Sequence, residues 1–82
     1  MEMTREEIFN KVVSIIKDEL EDEKLVITES TTANDVNGWD SLEHLSIVHE
    51  IEVFFSVKFT LGEIQGFQNV GSMINAIEKH VL

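Results

Sequence analysis

Apolar residues recur at helical spacing in three stretches of the chain. In the first, Ile8, Val12, Ile15 and Ile16 share one face, with Phe9, Val13 and Leu20 beside it. Thr4 and Glu7 stand just ahead of this run at capping-box spacing, and the acidic cluster from Asp18 to Glu23 ends it. The second stretch runs from Ser41 to about Phe55, where Ile47, Val48, Ile51, Phe54 and Phe55 form a broad apolar arc. The third follows Asn69, a good N-cap, and places Val70, Met73, Ile74, Ile77 and Val81 at helical spacing. Thr60 with Glu63 makes another capping box, which opens a short helix through Ile64 that ends at Gly66. The pattern predicts an all-α fold: a bundle of three main helices plus one short helix.

A long loop, from about Glu21 to Trp39, is expected between the first and second helices. Connections of this length are uncommon in small domains and are usually functional or packed by their own side chains. Leu25, Val26, Ile27 and Val36 are the expected anchors of this one, and Asn37-Gly38 is a strong turn signal at its end.

At 82 residues the chain suffices for one small domain, read as spanning 1–82 without internal repeat or linker. Cysteine is absent, which removes disulfides and thiolate metal sites. No stretch approaches the roughly 20 apolar residues of a membrane span. The first residues, MEMTREEIF, lack the apolar core of a secretion signal, so a cytoplasmic location is expected. Sixteen acids face six bases, a formal net charge of −10, which disfavours nucleic acid and anionic membranes and favours partners with basic patches. Between Lys24 and Lys58 there is no Lys or Arg, while Glu29, Asp35, Asp40, Glu43, Glu50 and Glu52 all fall there. Such a run is either a solvating surface or an electrostatic docking face.

The stretch "NGWDSLEHL", Asn37 to Leu45, holds the candidate chemistry. Asp40 can cap the second helix, with Glu43 completing a capping-box-like pair. Ser41 is then the first helical residue, its hydroxyl near the surface and beside unpaired N–H groups. The helix dipole makes that spot favourable for an anion such as a phosphoester, although the flanking carboxylates oppose one. On capping alone, Ser41 is simply a helix starter. Leu42, Ser46, His49 and Val53 fall on one outward stripe, bordered by Glu43, Glu50 and Glu52. An apolar strip with an acidic rim suits a partner with a basic rim, whereas single exposed apolar residues need no explanation. His44 lies three residues after Ser41, but a serine nucleophile has no G-x-S-x-G elbow, third member or oxyanion loop here. His44 reads as a histidine at the rim of the core, and His49 and His80 as surface residues. The acids from Asp18 to Glu23 lack calcium-loop spacing, so no metal site is expected.

Asp40-Ser41-Leu42 at the start of a helix after a long loop resembles the attachment site of acyl carrier proteins. The likeness extends along nearly the whole chain: capped first helix, long loop, apolar second helix, short third helix and a fourth opened by Asn69-Val70. The resemblance implies an acyl-carrier-like bundle, not an enzyme. In it a phosphopantetheinyl transferase moves 4′-phosphopantetheine from coenzyme A onto Ser41, with Asp40 and Leu42 as recognition positions beside it. The thiol of that arm holds acyl intermediates as thioesters for fatty acid, polyketide or specialised biosynthesis. Acyl-loading, acyl-transfer or condensing enzymes with basic patches would then dock on the second helix. Glu43 and Glu52 are the matched acidic docking positions, so resemblance and stripe together nominate Glu43, Ser46, His49, Glu50, Glu52 and Val53. Positions matching the acyl-chain lining of the family are Ile51, Phe55, Phe59, Ile64, Phe67 and Met73. The carrier is expected to be a monomer.

Departures narrow this expectation. Ser46, Val53 and Leu61 stand where members of general fatty acid synthesis are often acidic, and Trp39 stands where they often have a small residue. Gly-Trp-Asp-Ser-Leu looks more like free-standing carriers of specialised pathways. The Gly-Gly-x-Ser pattern of peptidyl carriers is absent, but an aminoacyl or peptidyl-type carrier remains an alternative, as does an unmodified acidic interaction module. Bulky Phe67 and Met73 suggest a well-filled core and short or polar acyl groups. Trp39 is read as a packing anchor for the loop.

Overall fold

Each helix begins where a side chain can take up its free N–H groups. The computed structural model describes residues 3–81. Helix α1 spans Arg5–Leu20, α2 Ser41–Phe55, α3 Leu61–Gln65 and α4 Val70–Val81. The two capping boxes form as expected. Thr4 Oγ1 accepts from Glu7 N at 3.1 Å and Glu7 Oε1 from Thr4 N at 2.9 Å; Thr60 and Glu63 repeat the pair at 3.1 and 2.9 Å. Asn69 caps α4, its Oδ1 accepting from Ser72 N at 2.8 Å. At α2 only half of the expected pair exists. Asp40 Oδ1 accepts from Glu43 N at 2.9 Å, but Glu43 does not reach back to the Asp40 N–H. Helices α1 and α2 both end on residues with left-handed backbone, Glu21 at φ 54° and Ser56 at φ 55°.

The helices bury the faces that periodicity marks. Ile8, Val12, Ile15 and Ile16 of α1 meet Ile47, Val48, Ile51 and Phe55 of α2 and Val70, Met73, Ile74 and Ile77 of α4 in one core. Burial of each such side chain contributes about 1.5–3 kcal/mol. Phe54 departs from the expected arc. It is 42 % exposed at the arc's edge, where its ring meets Phe55 edge-on at 4.9 Å and lies 4.2 Å below the Lys11 ammonium.

The long connection is held at several points. It contains a 3-10 turn, Ala33–Asp35, whose first N–H groups are helped by Asp35 Oδ2 accepting from Thr32 N at 3.0 Å. Ile27 is buried, and Leu25 and Val36 pack partly against the core. Val26 does not anchor the loop as expected; it is 87 % exposed. The backbone is non-helical there, so neighbouring side chains take opposite sides and Val26 points away when Leu25 and Ile27 point in. The loop also caps α4: Val70 N donates to Thr31 O at 3.0 Å and Gly71 N to Glu29 O at 2.8 Å. Arg5 completes the tie. It bonds Glu29 of the loop at 2.6 Å and Asn75 and Glu78 of α4 at 2.9 and 2.5 Å. The Arg5 bonds to Glu29 hold its carboxyl below the usual carboxylate range.

Candidate functional site

The site is where the long loop turns into α2. Gly38, at φ 87°, makes a turn that a side chain would strain. Trp39 then inserts into the core, 7 % exposed, and its N–H donates to Val36 O at 3.3 Å. Its indole Nε1–H donates to His44 Nδ1 at 3.1 Å, and the two rings stack with centroids 6.0 Å apart. Trp39 thus anchors the loop, as expected, and does so with a specific partner one turn into α2. His44 sits half-buried, and burial lowers its pKa against the opposing effect of a hydrogen bond with the Ile64 backbone.

Asp40 and Ser41 follow the anchored tryptophan and are both exposed. Asp40 caps α2 with its side chain, and its carbonyl accepts from His44 N at 2.8 Å. Ser41 opens the helix, and among the described residues its hydroxyl has no hydrogen-bond partner. A group esterified there meets open solvent and the N-terminal end of a 15-residue helix. The position has open space for a phosphoester, and the helix N-terminus favours one against the opposing charge of Asp40 and Glu43.

Along α2 the outward stripe appears where spacing puts it. Leu42 is 72 % and Val53 62 % exposed, with His49 exposed and Ser46 partly so. Leu45 and Leu61 are further exposed leucines that the stripe did not include. Leu45 lies three residues after Leu42 and widens the strip toward the loop after α2, a signal available in the spacing but missed. Two shallow clefts run along the seam of α1 and α2. One is lined by Leu42, Leu45, Ser46, His49, Glu50 and Glu19, the other by Glu50, Val53, Phe54, Lys11, Ile15, Asp18 and Glu19. Of the acids nominated for docking, Glu43 and Glu50 lie i, i+7 on one flank of the stripe. Glu52 has a second task. Its Oε2 accepts from Phe59 N at 2.9 Å and ties α2 to the start of the α3 segment.

The six positions nominated for acyl-chain lining are differently placed. Ile51, Phe55, Phe59 and Met73 are buried, and Ile64 and Phe67 are partly so. Phe59 and Phe67 meet edge to face at 5.2 Å, Phe67 meets His44 at 6.5 Å, and Phe59 meets His80 at 5.5 Å. Phe55 borders an open cleft, in company with Met3, Ser56, Val57, His80 and Val81. His80 is more than a surface residue: its Nε2 lies 3.0 Å from Glu63 Oε2 and links α4 to α3. Among the described residues no group of three or more His, Cys, Asp or Glu is arranged to hold a metal ion, and no helix is long and apolar enough to cross a membrane.

Together these elements form an all-α bundle whose second helix opens on an exposed serine. Comparison with known proteins agrees, although no family model matches the chain. It is 37 % identical over 76 residues to an acyl carrier protein of Thermotoga maritima, covering 93 % of this chain and 94 % of that one. An acyl carrier protein of Borreliella burgdorferi is 36 % identical over 78 residues, at 94 and 96 % coverage. The solution structure of a holo acyl carrier protein from Geobacter metallireducens superposes with a TM-score of 0.84 at 34 % identity, covering 90 % of this chain and 85 % of that one. The chain belongs to the acyl carrier protein family.

Proposed function

We propose that Ser41 is the attachment point of a 4′-phosphopantetheine arm and that the chain, as a single carrier domain, presents acyl thioesters to partner enzymes. The observation that carries this reading is the free, exposed hydroxyl of the first residue of α2, set between the Asp40 cap and Leu42. The bound arm supplies a thiol that holds the acyl group as a thioester. The chain's own residues do the rest: Asp40 and the loop anchor fix the helix start, and Leu42, Ser46, His49 and Val53 form the contact strip beside it. Glu43 and Glu50 on its flank favour enzymes with basic docking patches, so docking weakens as salt rises. Tethering raises the effective concentration of the acyl group at whichever enzyme is docked.

The packing of Phe59, Phe67 and His44 supports short or polar acyl groups over long chains. With Ser46, Val53 and Leu61 in place of acids, a specialised pathway in the cytoplasm is the setting that fits best. The test of the attachment site is direct. Incubation of the purified chain with coenzyme A and a broad-specificity phosphopantetheinyl transferase adds one phosphopantetheinyl mass to wild type and none to Ser41→Ala. An unmodified wild type refutes the reading and leaves an acidic interaction module.

A further inference from the structure

The Trp39–His44 pair has an atomic arrangement that loop packing alone does not require. An indole N–H can only donate, so the 3.1 Å contact from Trp39 Nε1 requires an unprotonated Nδ1 on His44. The ring proton therefore sits on Nε2. One neutral imidazole thus ties the end of the long loop to α2. Ser41 lies between the two partners in sequence, two residues after Trp39 and three before His44. From this geometry we infer that Trp39 and His44 are positioning residues for Ser41, forming a latch that opens when His44 becomes an imidazolium.

The chemistry of opening is simple. Protonation at Nδ1 turns the acceptor into a donor facing the Trp39 N–H, and the two repel. Phe67, packed edge-on against His44, offers no acceptor in exchange. The nearest titratable groups on the loop, α2 and α3 are Asp35, Asp40, Glu43 and Glu63, with His80 bound to Glu63; His49 and Glu50 line the outward stripe of α2, and Glu52 bonds the Phe59 N–H. None bonds the imidazole. Asp35 bonds the Thr32 N–H, Asp40 the Glu43 N–H, and Glu63 both the Thr60 N–H and His80. Glu43 makes no hydrogen bond with the ring. Burial favours the neutral ring, so the latch is closed at neutral pH and opens only below the ordinary histidine value near 6.5.

Trp39 is the only tryptophan in the chain, so its indole N–H gives a single reporter signal. The first measurement follows that NMR signal and the His44 ring in the unmodified chain from about pH 8 to pH 5. The latch predicts that both move with one midpoint. A His44 ring that titrates while the indole signal stays fixed overturns it. The second measurement rests on the proposed modification of Ser41. Initial rates of phosphopantetheinylation are compared for wild type and His44→Asn, whose Oδ1 takes the place of Nδ1 as an acceptor for the Trp39 N–H that does not titrate. The ratio of the two rates cancels the transferase's own pH dependence. It is expected to fall about two- to tenfold as His44 charges, the equivalent of one lost hydrogen bond. A flat ratio across the His44 titration overturns the latch. Should His44→Asn not fold, Trp39→Phe serves instead, since without the N–H donor it must show a flatter pH profile than wild type. A wild type unmodified at any pH counts against the attachment site, and the indole titration still decides the latch.

Discussion

Replacing Glu52 separates a structural from a recognition role for one acid. Its Oε2 accepts the Phe59 N–H at 2.9 Å, and Phe59 is itself buried against Phe67. A hydrogen bond to a charged group contributes about 1.5–3 kcal/mol, and the half-exposed setting puts this one near the lower bound. Glu52→Ala should therefore destabilise the fold by about 1.5 kcal/mol, a fall in Tm of about 6–12 °C for a domain of this size. Loss of one negative charge from a chain of net charge −10 relieves some repulsion, which works the other way. Glu52→Gln isolates that term, because its amide oxygen keeps the bond to Phe59 while the charge goes. The expected order of Tm is Glu52→Gln at or near wild type and Glu52→Ala well below both. Glu52→Lys should resemble the alanine variant, since it too removes the acceptor of the Phe59 N–H. Urea and thermal unfolding provide the measurement. Equal stability of Glu52→Ala and wild type, or equal loss in Gln and Ala, would refute the assignment of this carboxylate to the backbone.

Three other substitutions probe the same framework. Gly71→Ala should destabilise by about 1 kcal/mol in urea unfolding, because its Cβ would lie 3.2 Å from Glu29 O, which the 2.8 Å bond to Gly71 N prevents from retreating. Ser56→Gly should stabilise by about 1 kcal/mol, since the residue holds φ 55° at the end of α2. Ile27→Ala should cost about 2–5 kcal/mol while Val26→Thr stays within about 0.5 kcal/mol of wild type, a contrast that thermal unfolding resolves. Stability should also decline as pH falls through the His44 range. Its native pKa lies below the unfolded value, so the unfolded chain binds the proton first and the contribution present above pH 6.5 is lost on the way down.

The helices were legible because each start has a side-chain cap and each interior a repeating apolar face. Thr4–Glu7, Thr60–Glu63 and Asn69 are local signals, satisfied within a few residues, and they survive folding unchanged. The loop was less legible. Leu25-Val26-Ile27 is an apolar run with no helical period, and nothing local says which member faces out until extended backbone imposes alternation. Long-range partners were hidden for the same reason. Arg5 reaches Glu29 and Glu78, and Glu52 reaches a backbone N–H seven residues on, through contacts that only the packed fold creates. Ser41 itself stood out only together with the surrounding family pattern. Trp39 was conspicuous in sequence, but its bond to His44 required the loop to close on the helix.

The absence of Lys and Arg between Lys24 and Lys58 makes the attachment site easy to isolate, since trypsin releases residues 25–58 as one peptide. Tandem mass spectrometry of that peptide, after modification with coenzyme A and a phosphopantetheinyl transferase, tests the central claim most directly. The account predicts a single phosphopantetheinyl group whose fragment ions bracket Ser41. A group located on Ser30, Ser46 or Ser56, or a peptide that remains unmodified, would contradict it.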